Sequence, residues 1–191
     1  MNSSTPKLLD MTIDEIIGIA RRAKSLIHRE ALVWLCQLAQ MAPDGLGIEL
    51  GVYCGSSLIA WSLMRAGLGQ AIGVDNWSYR DIPNLKARCE RNLDAASVEV
   101  QLLDMDSAEA AAVVLDPIAF LHIDANHSRP FVEQDITLWT PKVMPGGIVA
   151  FHDYGRFRPD CQVTEAVDAW QGREPWERLG EVATMIGFRK P

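Results

Sequence analysis

The sequence predicts an α/β domain built on a doubly wound, largely parallel sheet. Three observations carry that prediction. Short apolar runs alternate with segments of helical spacing along the chain. A turn bracketed by Gly51 and Gly55 follows the first apolar run and opens a helix. Polar and acidic residues recur just after the later apolar runs, at the carboxyl rim where such sheets bind ligands.

The elements follow in order. Residues 12–24 carry Ile13, Ile16, Ile17 and Ala20 at helical spacing, with Thr12 as N-cap and Glu15 completing a capping box. A second helix over 29–40 gathers Leu32, Leu35, Cys36, Leu38 and Ala39. Both precede the first strand. Residues 1–45 are therefore expected to form a helical cover over a core of 46–191, together one domain. The cover is expected mainly to pack the sheet, and it also offers a surface for a homodimer. Strand 46–50 leads into helix 56–66, with Ser56 as its N-cap. Strand 71–74 precedes helix 82–95, and strand 98–103 precedes a short helix from Ser107. Strand 118–123 leads to helix 130–139, with Pro130 in its first turn. Pro145-Gly146-Gly147 reads as a turn before strand 148–151, and a helix follows over 161–171. Residues 176–189 read as one or two short strands broken at Gly180 and Gly187.

Composition narrows the function. The 191 residues suit one domain, and 48% apolar with 23% charged residues excludes a disordered chain. The net charge of −7 argues against a nucleic-acid partner. No apolar run is long enough to span a bilayer, and residues 1–7 lack the apolar stretch of a signal peptide. Cys36, Cys54, Cys89 and Cys161 lie far apart, without zinc spacing, as in a reducing compartment. A cytoplasmic protein is expected.

The strand ends hold the candidate site. Gly51, Tyr53, Gly55 and Ser56 form a loop that lets a ligand approach the backbone and the free N–H groups of a helix start. Asp75, about twenty residues beyond Gly55, stands where an acid reaches a ribose diol, with Asn76 beside it. Gly51-x-x-x-Gly55 lacks the third glycine of a dinucleotide motif. Glu49, at the end of the first strand, suits a cationic sulfonium cofactor and would repel a pyrophosphate. Asp106 is placed to accept from an adenine amino group beside Met105, or else to cap the next helix. Asp124, Asn126 and His127 follow the fourth strand, and His152, Asp153 and Tyr154 follow the fifth. Asp124, His152 and Asp153 are candidate ligands for a divalent cation such as Mg2+, and Asp124 also borders the cofactor. His127 or His152 is the alternative, a general base for a hydroxyl group. Trp77, Tyr79, Tyr154 and Phe157 lie near these rims, either to stack on an acceptor or to pack.

The order Glu49-x-Gly51-x-x-x-Gly55-Ser56, Gly73-Val74-Asp75, Ile123-Asp124-Ala125-Asn126-His127-Ser128 and Pro145-Gly146-Gly147 through His152-Asp153-Tyr154 resembles class I methyltransferases that use S-adenosylmethionine (SAM). More narrowly, it resembles their small-molecule O-methyltransferase-like branch, with the macrocin and cephalosporin-biosynthesis relatives. The resemblance runs from about Leu46 to the C-terminus. It implies a Rossmann-like seven-stranded sheet whose last strand is antiparallel, with helices on both faces. It implies SAM contacts at Glu49, Gly51, Gly55, Asp75 and Asp106, and transfer of the methyl group to a small-molecule hydroxyl. Asp124 and Asp153 match acids of the metal-dependent relatives. His152 departs from an acid, and Asn126 departs from an acid that serves as base in relatives.

Overall fold

The structure is a computed structural model and describes residues 11–191; residues 1–7, where no signal peptide was expected, lie outside them. Helices α1 (Ile13–Ala20) and α2 (Arg29–Met41) lead into β1 (Leu46–Leu50), α3 (Ser56–Met64), β2 (Ala71–Asp75) and α4 (Leu85–Ala96). Then come β3 (Gln101–Asp104), α5 (Ser107–Val113), β4 (Ile118–Ile123) and α6 (Arg129–Trp139). The chain closes with β5 (Val143–His152), α7 (Val163–Gln171), β6 (Glu177–Val182) and β7 (Met185–Arg189). The sheet has seven strands in the order β3-β2-β1-β4-β5-β7-β6. β1 to β5 run parallel, and β7 pairs antiparallel with both β5 and β6.

Side chains alternate across this sheet with the two-residue period of a strand. Leu121 and Ile123 of β4, with Val149 and Phe151 of β5, face α5, α6 and α7. Phe120, Ile148 and Ala150 face α1 to α4. Both faces are thus covered, as a parallel sheet requires. The capping box of α1 is present, with Thr12 N–H donating to Glu15 Oε2 at 2.8 Å. The N-terminal helices pack on α3 and the sheet through Ile16, Ile17, Leu35 and Leu38.

The first helix ends at Ala20 rather than at residue 24, α3 at Met64 rather than at 66, and α7 starts at Val163 rather than at 161; four further differences have a local reason. α4 starts only at Leu85, because Asn84 just before it is left-handed (φ 58°). β3 begins at Gln101 because Ser97 is left-handed (φ 54°) and Val98 N–H still serves the Leu93 carbonyl at the exit of α4. Pro145-Gly146-Gly147 lies inside β5 as an excursion between the pairs Ile118–Val143 and Phe120–Ile148. Gly180 and Gly187 do not break the last strands but face each other across them, and the reversal falls at Ala183 (φ 55°). Gly187 is small for a packing reason: a Cβ there would lie 2.5 Å from Leu38 of α2.

The buried cation Arg65 ties the end of the helical cover to α3. Arg65, after α3, donates to the carbonyls of Ala39, Ala42, Pro43 and Gly45 at 2.8, 3.3, 2.8 and 3.1 Å. These carbonyls leave the end of α2, where the helix cannot satisfy them itself. Arg65→Met should strand them and cost about 3 kcal/mol, read as a fall in the urea midpoint. An unchanged midpoint would show that the carbonyls find water instead.

Candidate active site

β1 and β4 are neighbours, yet the chain leaves β1 toward β2 on one side and leaves β4 toward β5 on the other. This reversal opens a crevice at their carboxyl ends. Asp124 N–H donates to the Leu50 carbonyl at 2.8 Å, and Gly51 N–H to Val74 at 2.9 Å. Gly51 has φ +86°, and a Cβ on it would lie 2.1 Å from the Asp124 carbonyl oxygen. Only glycine allows the loop and the Asp124 backbone to meet this closely. Gly55, also left-handed, is the N-cap of α3. Ser56 is therefore not the N-cap expected of it but the first helical residue. Its Oγ donates to the Ala20 carbonyl at 3.0 Å, tying α3 to α1.

The next two strand ends complete one wall. Asp75 Oδ2 accepts from Val52 and Tyr53 N–H, both at 2.8 Å, and Oδ1 accepts from Trp77 N–H at 2.6 Å. The acid expected to meet a ribose fixes the glycine loop in this structure. Asp106 occupies the N-cap position of α5 without making a capping hydrogen bond. Its carboxylate instead accepts from Asn76 Nδ2, on the pocket wall beside Met105.

Glu49 is not at the pocket. Its carboxylate is fully buried and accepts from Ser57 Oγ, Trp61 Nε1 and His122 Nδ1, each at 2.8 Å. The expected approach of this acid to a cofactor is not set up. The reason is the strand period: Glu49 faces α3, and its register partner on β4 is His122. His122 Nε2 has no hydrogen-bond partner among the described residues.

The two acids and two histidines expected at the fourth and fifth strand ends do converge. His152 Nδ1 lies 3.0 Å from Asp124 Oδ1, and His127 Nε2 lies 3.4 Å from the same oxygen and 3.1 Å from Asp153 Oδ2. His152 Nε2 meets Thr184 Oγ1 at 3.2 Å, so both its nitrogens are engaged inside the protein. His127 keeps its side chain 31% exposed. Asp153 is buried and left-handed (φ 60°), with Arg156 Nε 2.8 Å from Oδ1 but not aligned for a hydrogen bond. Burial works to raise the Asp124 pKa, but the His152 charge and the hydrogen bonds of both histidines outweigh it and hold the carboxyl well below the usual range. The Asp124 hydrogen bond, opposed by burial, raises the His127 pKa. Burial works to lower that of His152, and the Asp124 charge and hydrogen bond overcome it and raise it. Asp124, His152 and Asp153 offer ligand atoms all within 4.8 Å of one another. Asp153 Oδ1 is buried and without a hydrogen bond, a donor open to a divalent cation together with Asp124, whereas His152 Nδ1 is already taken by Asp124.

All these strand ends open into one pocket of about 730 Å³. Lys24 to Ile27, after α1, form part of its wall, so the helical cover contributes to the site. Of the aromatic candidates, Tyr79 lines the pocket, its ring 5.5 Å from that of Tyr53. Tyr154 is turned inward and donates to Asp168 at 2.7 Å. Asn126 Oδ1 accepts from Ser128 N–H and Oγ, shaping the entry to α6.

Asp135 was not among the residues expected at the site, yet its carboxylate accepts from Ser107 Oγ at 2.5 Å and both residues line the pocket. A signal existed: Asp135 shares the buried face of α6 with Val132, Ile136 and Trp139. Burial, opposed by the Ser107 hydrogen bond, pushes its pKa up to about 6 from the ordinary 3.8. The folded state therefore holds this proton more tightly than the unfolded chain. The resulting stability is present in full below pH 3.8 and lost as the pH rises through about 6. Asp135→Asn should remove a contribution of roughly 2–3 kcal/mol, flattening urea-derived stability over that window. Identical pH dependence in both proteins would contradict it.

A family model described as a methyltransferase domain matches residues 48–154, more than half of the chain. The solved O-methyltransferase of Bacillus cereus in complex with S-adenosylhomocysteine (SAH) is similar at 17% identity and TM-score 0.63, over 98% of this chain and 94% of that one. A SAH-bound methyltransferase of Podospora anserina is similar at 15% identity and TM-score 0.70, over 94% and 87%. CalS11, a TDP-rhamnose 3′-O-methyltransferase of calicheamicin biosynthesis, is similar at 20% identity and TM-score 0.64, over 83% and 78%. At these identities the likeness is one of fold. With the family match resting on the segment that carries the glycine loop and the acid–histidine cluster, the protein belongs to the methyltransferase-domain family and is a class I SAM-dependent methyltransferase.

Proposed function

We propose that the protein methylates an oxygen atom of a small-molecule acceptor held at the mouth of this pocket. The observation that carries the proposal is the convergence of Asp124, His127, His152 and Asp153 on the same crevice as the Gly51–Gly55 loop. SAM supplies an electrophilic methyl group. Asp106 accepts the adenine amino group, Asp75 and Asn76 address the ribose, and Gly51, Tyr53, Gly55 and Ser56 shape the space for the amino-acid end. Glu49 acts from behind, fixing Ser57 and Trp61 of α3 beneath that loop.

Of the two candidate bases, His127 is favoured. His152 is buried with both nitrogens engaged. His127 directs Nε2 at Asp124 and Asp153, which orients the ring and supports the charge it gains. Nδ1 is then the atom that takes the hydroxyl proton as the oxygen–carbon bond forms and the carbon–sulfur bond breaks. Asp124 and Asp153 would hold a divalent cation such as Mg2+, and His152 would join them only by giving up its hydrogen bond to Asp124. Such a cation would orient the acceptor and lower the pKa of its hydroxyl group.

A small-molecule acceptor is supported by the modest pocket volume, about 730 Å³, and by the −7 charge of the chain, unsuited to nucleic acid. CalS11, which shares the fold, is named for a small sugar nucleotide. No helix among the described residues is long and apolar enough to cross a membrane. The four cysteines are free and buried, which supports a cytoplasmic setting.

Calorimetric titration with SAM and with NAD tests the cofactor reading: SAM should bind and NAD should not, and Asp106→Ala should weaken SAM about tenfold. NAD binding without SAM binding would overturn it. His127→Gln should slow SAH release on a panel of hydroxylated acceptors by about 10²–10⁴-fold while leaving SAM affinity intact. An unchanged turnover would remove His127 as the base.

A further inference from the structure

The floor and the mouth of the pocket carry opposite charge. Asp75, Asp124, Asp135 and Asp153 line the pocket as half-buried or buried acids at the strand ends and on α6. The mouth carries Lys24, Arg80, Arg156 and Arg158, with Asp106 and Asp160 as the acids among them. Lys24, Arg80 and Arg158 are exposed. Among the described residues, Lys24 and Arg80 have no carboxylate within ion-pair distance. Arg158 has Asp160 at 3.9 Å, an acid whose side chain is itself 80% exposed. Such pairs contribute little in water and yield readily to a better anion. Arg156 reaches inward to Asp153 at 2.8 Å and marks the border between the two zones. Four cations thus stand against two acids at this one opening of a chain of net charge −7.

Apolar surface lies between these cations. Leu26, Tyr79 and Phe131 line the same pocket and are 52%, 38% and 52% exposed. The Arg80 guanidinium sits 5.0 Å from the Tyr79 ring centroid, presenting a flat cationic–aromatic surface. None of these cations and apolar side chains is used in binding SAM or in moving its methyl group as described above.

We propose that this mouth binds a phosphate or diphosphate group on the acceptor, with an apolar or planar part of the same molecule lying over Tyr79, Leu26 and Phe131. The proposal rests on the reading of the floor as the cofactor site. The acidic floor attracts the cationic donor, and the basic mouth attracts an anionic acceptor, so the field of the pocket sorts the two substrates. Arginine suits the role because its planar fork matches phosphate oxygens in pairs. The phosphate takes no part in the reaction; it holds the acceptor so that its hydroxyl faces His127.

The test uses the protein saturated with SAH, in buffer with a metal chelator so that no cation bridges to phosphate. Thymidine diphosphate and thymidine are titrated calorimetrically as probes. The diphosphate should bind at least about tenfold more tightly than the nucleoside, and this preference should shrink as salt rises. The double variant Arg80→Ala/Arg158→Ala should lose about tenfold of the diphosphate affinity, while Arg80→Lys/Arg158→Lys keeps most of it. Both residues are exposed, so thermal melting should be unchanged. Equal binding of the two probes, or an undiminished diphosphate affinity in the alanine variant, would overturn the proposal. A separate SAH titration reads the floor: failure there strikes the cofactor reading, whereas the probe comparison and the variants read the mouth. Sedimentation with phosphatidylglycerol vesicles should leave the protein in solution; pelleting would assign the cations to a lipid headgroup and overturn the small-molecule proposal.

Discussion

The site depends on the pairing of β1 with β4. Their register sets Glu49 against His122 and Leu50 against Ile123, so both strands end at the same level. The chain then closes the joint with one backbone hydrogen bond, Asp124 to Leu50, and one contact that only a residue without a Cβ permits, Gly51 on the Asp124 carbonyl. The glycine loop belongs to the first strand and the acid–histidine cluster to the fourth and fifth. They form one pocket because this joint leaves no gap between them. A parallel sheet whose order reverses at this pair provides the crevice, and the close contact fixes how far apart its two walls stand.

Beneath the joint, a polar network stiffens what the loop above must hold still. Glu49, His122, Ser57 and Trp61 come from two strands and one helix, and all their bonds are internal. Removing one partner would leave a buried polar group unpaired, a cost of several kcal/mol. Asp75 performs the same service from the side, holding the Val52, Tyr53 and Trp77 amides. The loop is therefore held by bonds within the protein itself, as catalysis by positioning requires.

Much of this was legible in the sequence. Strands 46–50 and 118–123 match the structure, since apolar runs bounded by turn residues state their own ends. The convergence of Asp124, His127, His152 and Asp153 was legible because adjacent parallel strands must bring their carboxyl ends together. Other features depend on partners distant in the chain and were not legible. Glu49 reads as an acid facing a cation, whereas in the structure its hydrogen-bond partners come from α3 and β4. Gly180 and Gly187 read as breaks because the need for glycine under Leu38 is set by helix packing, not by local conformation. Ser56 reads as a cap, and only the left-handed Gly55 reveals otherwise. The Thr184 contact to His152 has no local signal at all, coming from the turn between the last two strands.

The measurement that bears most directly on the account is a crystal structure of the protein soaked with SAH. SAH should lie in the crevice between β1 and β4, with adenine beside Asp106, the ribose at Asp75 and Asn76, and the sulfur facing His127. SAH lodged elsewhere, such as the groove of about 1060 Å³ along α4 and the amino ends of β2 and β3, would contradict it.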